Sequence, residues 1–239
     1  MRGGSRAQRR RMRVGIALLI AVLAVGVAAA HGAHRTITRA QAKAVAAAIS
    51  LHHSDLSTLN QQSNPITAQE LRSNAELTAC VDGVPASEAY AQQQSPDFTN
   101  ASGSITIDST AEILPTASLA ARDLAAITGS RGLPCLEREL KAQLQSGAAK
   151  GDSVTVTGAR LPYPNGSTDG AFMLRFTIAL RVKQGSGHTS VSLYADVIGF
   201  IYGQAEVALD VLTTGTKPSN SLEQRLESDL VTRAKSAIG

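Results

Sequence analysis

The sequence predicts an α+β domain, a twisted antiparallel β-sheet flanked by helices and preceded by one N-terminal transmembrane helix. Three observations lead there. The first is a block of alternation: in AFMLRFTIALRVK, Phe172, Leu174, Phe176, Ile178, Leu180 and Val182 interleave with Met173, Arg175, Thr177 and Arg181. The second is helical periodicity on either side of that block. The third is an uncharged stretch from residue 14 to residue 30. Alternation at period two marks strands with one apolar face. After QGSGH, a second run sets Val191, Leu193, Ala195, Val197 and Ile201 against Ser192, Tyr194 and Asp196, and GQAEVALDVL repeats the pattern. Three strands joined by short turns make an antiparallel meander, and contiguous strands with helices before and after argue for α+β.

The N-terminal thirteen residues hold six arginines and no acid. The 17 uncharged residues that follow would span roughly 25 Å as a helix, against a hydrocarbon core of about 30 Å. Uncharged residues continue to His34. A cytoplasmic basic tail (1–13), a signal anchor (14–34), a helical stalk (35–48) and an extracytoplasmic domain (49–239) are expected, with the arginines held inside. The alternative is a signal peptide cleaved after Ala30, since Ala28-Ala29-Ala30 fits a small-residue cleavage pattern; the domain would then be secreted. The formal charge of +4 comes from this tail, because residues 31–239 carry 17 basic and 19 acidic residues. Nucleic acid, which requires a basic face, is therefore not an expected partner of the exported part.

Along the rest of the chain, TAQELRSNAELTAC reads as a helix capped by Thr67, with Glu70 three residues on. VDGVPASEAYAQQQSPDFTNASG is turn-rich and predicts little regular structure. GSITIDSTAEILPT reads as a strand and SLAARDLAAIT as a helix. PCLERELKAQLQ is a helix with Pro134 at its first position, Cys135 in its first turn and a Leu136, Leu140, Leu144 stripe. SVTVTGARL is a further strand. NSLEQRLESDLVTRAKSAI closes the chain as an amphipathic helix that must cover apolar sheet.

Cys80 and Cys135 are the two cysteines, each beside a helix. A helix N-terminus could lower the thiol pKa of Cys135 and make it reactive. An even pair in an exported domain instead points to a disulfide, closing a loop of roughly 55 residues for on the order of 4 kcal/mol; no C-x-x-C redox pair is present. His52, His53 and His188 suggest no metal site, because adjacent helical residues point about 100° apart. There is no G-x-S-x-G elbow and no phosphate-binding glycine loop, so neither an enzyme nor a nucleotide cofactor is expected. Asn100 and Asn165 head N-x-S triplets, which matter only in a glycosylating pathway.

The segments AISLHHSDLSTL, SPDFTNASGSITIDSTAEIL, ARDLAAITGSRGLPCLERELKAQL and SVSLYADVIGFIYGQAEVALDVL resemble an actinobacterial family of exported, membrane-anchored proteins. That family is in turn similar to extracytoplasmic sensor domains of membrane Ser/Thr kinases and to the PsbP-like fold. The likeness covers roughly residues 48 to 235. It implies a sheet flanked by helices with a cleft, and it supplies no catalytic residues to carry over. No kinase domain precedes the apolar segment, so signalling through a fused kinase is not expected.

The expected function is a noncatalytic ligand-binding or protein-interaction domain held to the membrane by its N-terminal helix, with an unknown small ligand or envelope protein as partner. An accessory subunit of an envelope or transport complex is the alternative, and a hydrolase with an unrecognised site a third reading. If the two long strands pair with Thr177 opposite Asp196, the second sheet face gathers Arg175, Arg181, Tyr194, Asp196, Phe200 and Tyr202. That face is either the solvated side of the sheet or a binding surface rich in arginine and aromatic side chains.

Overall fold

The computed structural model describes residues 34–63, 65, 67–149, 151–163, 167–184 and 187–239. The basic tail, nearly all of the expected anchor and Asn165 lie outside them. Among the described residues no helix is long and apolar enough to cross a membrane.

The elements are α1 (Arg39–Ile49), β1 (Asn60–Gln62), α2 (Ala68–Val81), β2 (Ala91–Gln94), β3 (Asp97–Thr99), β4 (Ile105–Ile113), α3 (Ala117–Thr128), α4 (Gly132–Ser146), β5 (Ser153–Leu161), β6 (Gly170–Gln184), β7 (Gly187–Tyr202), β8 (Ala205–Thr214) and α5 (Asn220–Ile238). All strands pair antiparallel in one sheet of order β1-β3-β4-β8-β7-β6-β5, with β2 also on β4. The meander is β6-β7-β8, as the alternation predicts, and β4 joins it across the chain.

Helices cover both faces. Alternate residues of β4 and β8 (Ile107, Ala111, Ile113; Val207, Leu209, Val211) join Ile198 and Phe200 of β7 under α1 and α5, whose Ala42, Ala46, Ile49, Leu226, Leu230 and Ala234 complete that core. On the opposite face Phe172, Leu174, Phe176 and Ile178 of β6 and Leu193, Ala195 and Val197 of β7 meet α2, α3 and α4 through Leu77, Ile127, Leu136 and Leu140. Cys80 of α2 and Cys135 of α4 form a disulfide with Cα atoms 6.0 Å apart, which fastens two of these covering helices together. Cys135 is therefore structural.

Local chemistry explains the helix starts. The Thr38 amide donates to the Gln41 side-chain oxygen (3.1 Å), and the Thr116 hydroxyl accepts from the Leu119 amide (3.1 Å), each occupying an amide of a first turn or its cap. Gly203 turns β7 into β8 with φ of +57°, a conformation costly for a residue with a Cβ. At Gly199, opposite Phe172 on β6, an added Cβ would come within 2.2 Å of the Phe172 ring. The aromatic ring lies over the space that glycine leaves.

Three expectations are corrected. Residues 35–48, expected as a stalk, are integral: Ile37, Ala42 and Ala46 are buried, the Arg35 amide donates to the Ile238 carbonyl (2.8 Å), and Gln204 joins Ile37 to Leu114 and Pro115 through its side chain. A small, alanine-rich helix serves as a close-packing element because its side chains permit near approach to the sheet. The turn-rich segment after Val81 contains β2 and β3, short strands that satisfy their backbone groups on β4 in spite of poor strand propensity. The β6–β7 register differs by two residues: Arg175, not Thr177, stands opposite Asp196, because pairing persists up to Gln184 and Gly187. An even shift keeps every side chain on its expected face.

Candidate functional site

The expected binding face divides once the helices are placed. Asp196 is fully buried and accepts two hydrogen bonds from Arg175, one of 2.7 Å from Nε and another from Nη2. Glu223 of α5 lies against this pair, and burial with the nearby Asp196 pushes its carboxyl up to about 8 although Arg175 opposes the shift. Tyr163 donates to Glu227 one helical turn further along α5, and burial together with that carboxylate raises the phenol. Phe200 belongs to the core beneath α1 and α5. Tyr202 meets the ring of His34 edge-on, with centroids 4.3 Å apart. Tyr194 is half-buried, and Arg181 is exposed beside Thr155, Thr157, Thr177 and Ala179 on an open part of the sheet. The six residues thus do not converge on one cleft. His52, His53 and His188 are exposed, and among the described residues no group of three or more histidine, cysteine or acidic side chains is arranged to hold a metal ion.

A different set of residues does converge, on the opposite face. The acids on that face are Asp108 and Glu112 in β4 and Glu206 and Asp210 in β8. Antiparallel register sets Glu112 opposite Glu206 and Asp108 opposite Asp210. Like charges directly across a strand pair repel. Asp123 of α3 meets the first pair through a hydrogen bond with Glu206, and its carboxylate also accepts from the Val84 amide at 3.0 Å.

Burial moves this group of acids in one direction. Glu112 is pushed up to about 8 by burial, with the Asp123 charge adding to it. Asp123 rises to about 7, mainly through burial and partly through Glu88, against its hydrogen bonds and the Arg122 charge. Glu206 stands well above the usual carboxylate range through burial and then the charges of Asp123 and Glu112; Asp210 does so through burial and the Asp108 charge. Desolvation disfavours the charged form, and a neighbouring carboxylate disfavours it again.

Glu112 and Glu206 line a cleft with Thr110, Ala208, Phe172 and Leu124, and β7 contributes Phe200 and Ile201. The cleft holds about 20 Å³, room for one water-sized group. Glu112 is 3% exposed, and neither of its carboxyl oxygens has a hydrogen-bond partner. A buried carboxyl without a partner is costly, so this is a position at which a donor would be bound strongly.

Sequence reasoning missed these acids, although a signal was present. Asp108 and Glu112 are four apart in one strand, and Glu206 and Asp210 four apart in another. Each strand therefore carries two acids on one face, but the pairing of β4 with β8 across more than ninety residues is what brings the four together.

No family model matches the chain, and no curated protein does. Among solved structures, the extracellular domain of PknH from Mycobacterium tuberculosis aligns with a TM-score of 0.42 at 9% sequence identity, covering 85% of this chain and 100% of that one.

Proposed function

We propose that the chain is a noncatalytic ligand-binding domain, held on the outer side of the cell membrane by its N-terminal apolar segment, and that it binds its ligand in the acidic cleft between β4, β8 and α3. The observation that carries the cleft reading is the Glu112 carboxyl, buried at the cleft wall with both oxygens unpartnered. The placement outside is supported by the arginine-flanked apolar stretch and by the Cys80–Cys135 disulfide, a bond that persists in oxidising compartments. The sequence resemblance to extracytoplasmic sensor domains with a PsbP-like arrangement agrees with both parts.

Thermal-shift screening of the full chain tests the cleft against its Thr110→Phe variant, in which an aromatic side chain fills the space. Ligands of the cleft raise the melting temperature of the wild type by a few degrees and leave the variant unmoved. Equal shifts in the two proteins would remove the cleft as the site. Protease added to protoplasts digests the domain if it lies outside, and complete protection overturns that placement.

A second reading, docking of an envelope protein, is favoured by the exposed patch of β5 and β6 at Thr155, Thr157, Thr177, Ala179 and Arg181, with Tyr194 beside it. In pull-down from membranes, capture of one envelope protein that is abolished by Arg181→Glu supports this reading, and capture that persists in the variant removes it.

A further inference from the structure

We propose that the cleft selects a primary ammonium group on an aliphatic stem, the ammonium between Glu112 and Glu206 and the stem along Phe172 and Leu124. This rests on the cleft reading above and adds the chemical class of the ligand.

The sign of the charge follows from the lining. Two carboxyls and one hydroxyl, Glu112, Glu206 and Thr110, supply its polar side chains, and among the described residues no lysine, arginine or histidine lines it. Glu112 stands opposite Glu206 in the register, so a cation placed between them relieves a repulsion built into the strand pairing. The unpartnered oxygens of Glu112 offer acceptors, and an ammonium carries three donors and no acceptor.

The size of the head group follows from the space. About 20 Å³ admits one water-sized group, which fits an ammonium and excludes a planar guanidinium or a tetramethylated nitrogen. A hard divalent ion takes six or more oxygen ligands or keeps several waters, and the described acids here are not arranged to share a metal ion. The stem follows from the wall: Phe172 and Leu124 are apolar, and methylene groups laid against them leave water.

Binding is pH-dependent, with the bound cation favouring the ionised carboxyls. Asp123 of α3 faces both Glu112 and Glu206, and Arg122 of α3 and Glu88 of the short 3-10 turn before β2 act in turn on Asp123, with Asp108 and Asp210 next along the same strands. Four acids beyond the binding pair against one arginine leave the region acidic. Affinity rises with pH through the range in which burial holds the carboxyls protonated, about 7 to 8 for Asp123 and Glu112.

The test is calorimetric titration of the full chain in detergent micelles with pentylamine at pH 8 and pH 6, and with 1-pentanol, guanidinium and tetramethylammonium at pH 8. Pentylamine stays protonated at both pH values, an alkylamine having a pKa near 10, so a change in its affinity reports the carboxyls. The expected result is binding of pentylamine that weakens at pH 6, with no heat from the other three. Glu112→Gln and Glu206→Gln are each expected to weaken it about tenfold or more, the loss of one charged hydrogen-bond partner; either folded variant suffices. An acetylated peptide with a single lysine distinguishes the source: tighter binding than pentylamine identifies a protein side chain, and weaker binding a free amine. If pentanol binds as well as pentylamine, or if both variants keep wild-type affinity, the ammonium assignment is overturned while the cleft reading stands. If a ligand of any class stabilises the wild type and Thr110→Phe equally, the cleft reading falls instead.

Discussion

Asp196 and Glu112 are both carboxyls buried on the same sheet, and they differ in what stands across the strand. Asp196 faces Arg175 and is held by two hydrogen bonds; Glu112 faces Glu206 and has no hydrogen-bond partner. One carboxyl is thereby part of the scaffold, paired with arginine beneath the helix that covers it. The other is raised to about 8 and lines an open cleft. The partner across the ladder, more than burial itself, decides whether a buried acid supports the fold or remains available to a ligand.

Removing the partner of the scaffold acid has the largest expected effect. Arg175→Ala leaves Asp196 buried and uncompensated beside Glu223, and is expected to destabilise the domain by about 3–5 kcal/mol in urea unfolding. A loss under about 1 kcal/mol would mean that the hydrogen bonds from Arg175 add little to the fold, and the distinction between the two acids would lapse. Replacing both Arg175 and Asp196 by apolar residues of similar volume should recover most of the stability, since a buried ion pair is often matched by a well-packed apolar one.

Reduction of the Cys80–Cys135 bond is the next largest perturbation, about 2–4 kcal/mol for a disulfide closing a loop of this kind. Because α2 and α4 lie on the acidic-cleft side of the sheet, hydrogen exchange should quicken there before it does under α1 and α5. Uniform acceleration over both faces would show that the two cores unfold as one unit.

The pH dependence of stability sharpens the contrast. The folded pKa of Glu112 lies near 8 against 4.5 in the unfolded chain, so between those values the native state binds more protons. Its contribution is complete below about 4.5 and is lost as pH rises through 8, at about 1.4 kcal/mol per pH unit within the window. Glu112→Gln should remove that slope and make the protein more stable than the wild type at pH 8, measured by thermal unfolding across pH 5 to 9. An unchanged slope would assign the proton uptake to Glu206, Asp123 or Asp210 instead. Asp55 runs the other way. Burial raises its carboxyl, but hydrogen bonds from Arg233 and the His52 amide, with their charges, hold it below the ordinary value. Its stabilisation is present above the unfolded pKa and fades as pH falls below it. Asp55→Asn is therefore expected to show the smallest effect, about 1 kcal/mol or less at neutral pH, vanishing in acid.

The alternation in residues 171 to 183, the leucine stripe of α5 and the cysteine pair were legible because each is a local pattern with one physical solution. A strand with one apolar face must be covered, and an amphipathic helix covers it. Which face was to be covered was not legible for Arg175 and Asp196, since a charged pair looks the same in sequence whether it is solvated or beneath a helix. The fate of residues 35 to 48 was hidden for a related reason: alanine marks helix propensity equally in a stalk and in a closely packed core helix.

By itself the sequence determined the periodicities, and with them the identity of most strands and helices and the chemistry of the single cysteine pair. It also determined which side chains share a face within each strand, because that parity survives even the two-residue error in register. Only the tertiary structure decided which strands are neighbours. Asp108 and Glu112 come together with Glu206 and Asp210 because β8 pairs with β4, a contact that depends on the packing of the whole sheet. The difference has one physical cause: backbone geometry fixes the relation of a residue to those within a few positions of it, whereas the carboxyl cluster is made by residues that meet only after the chain has closed a loop of more than ninety residues.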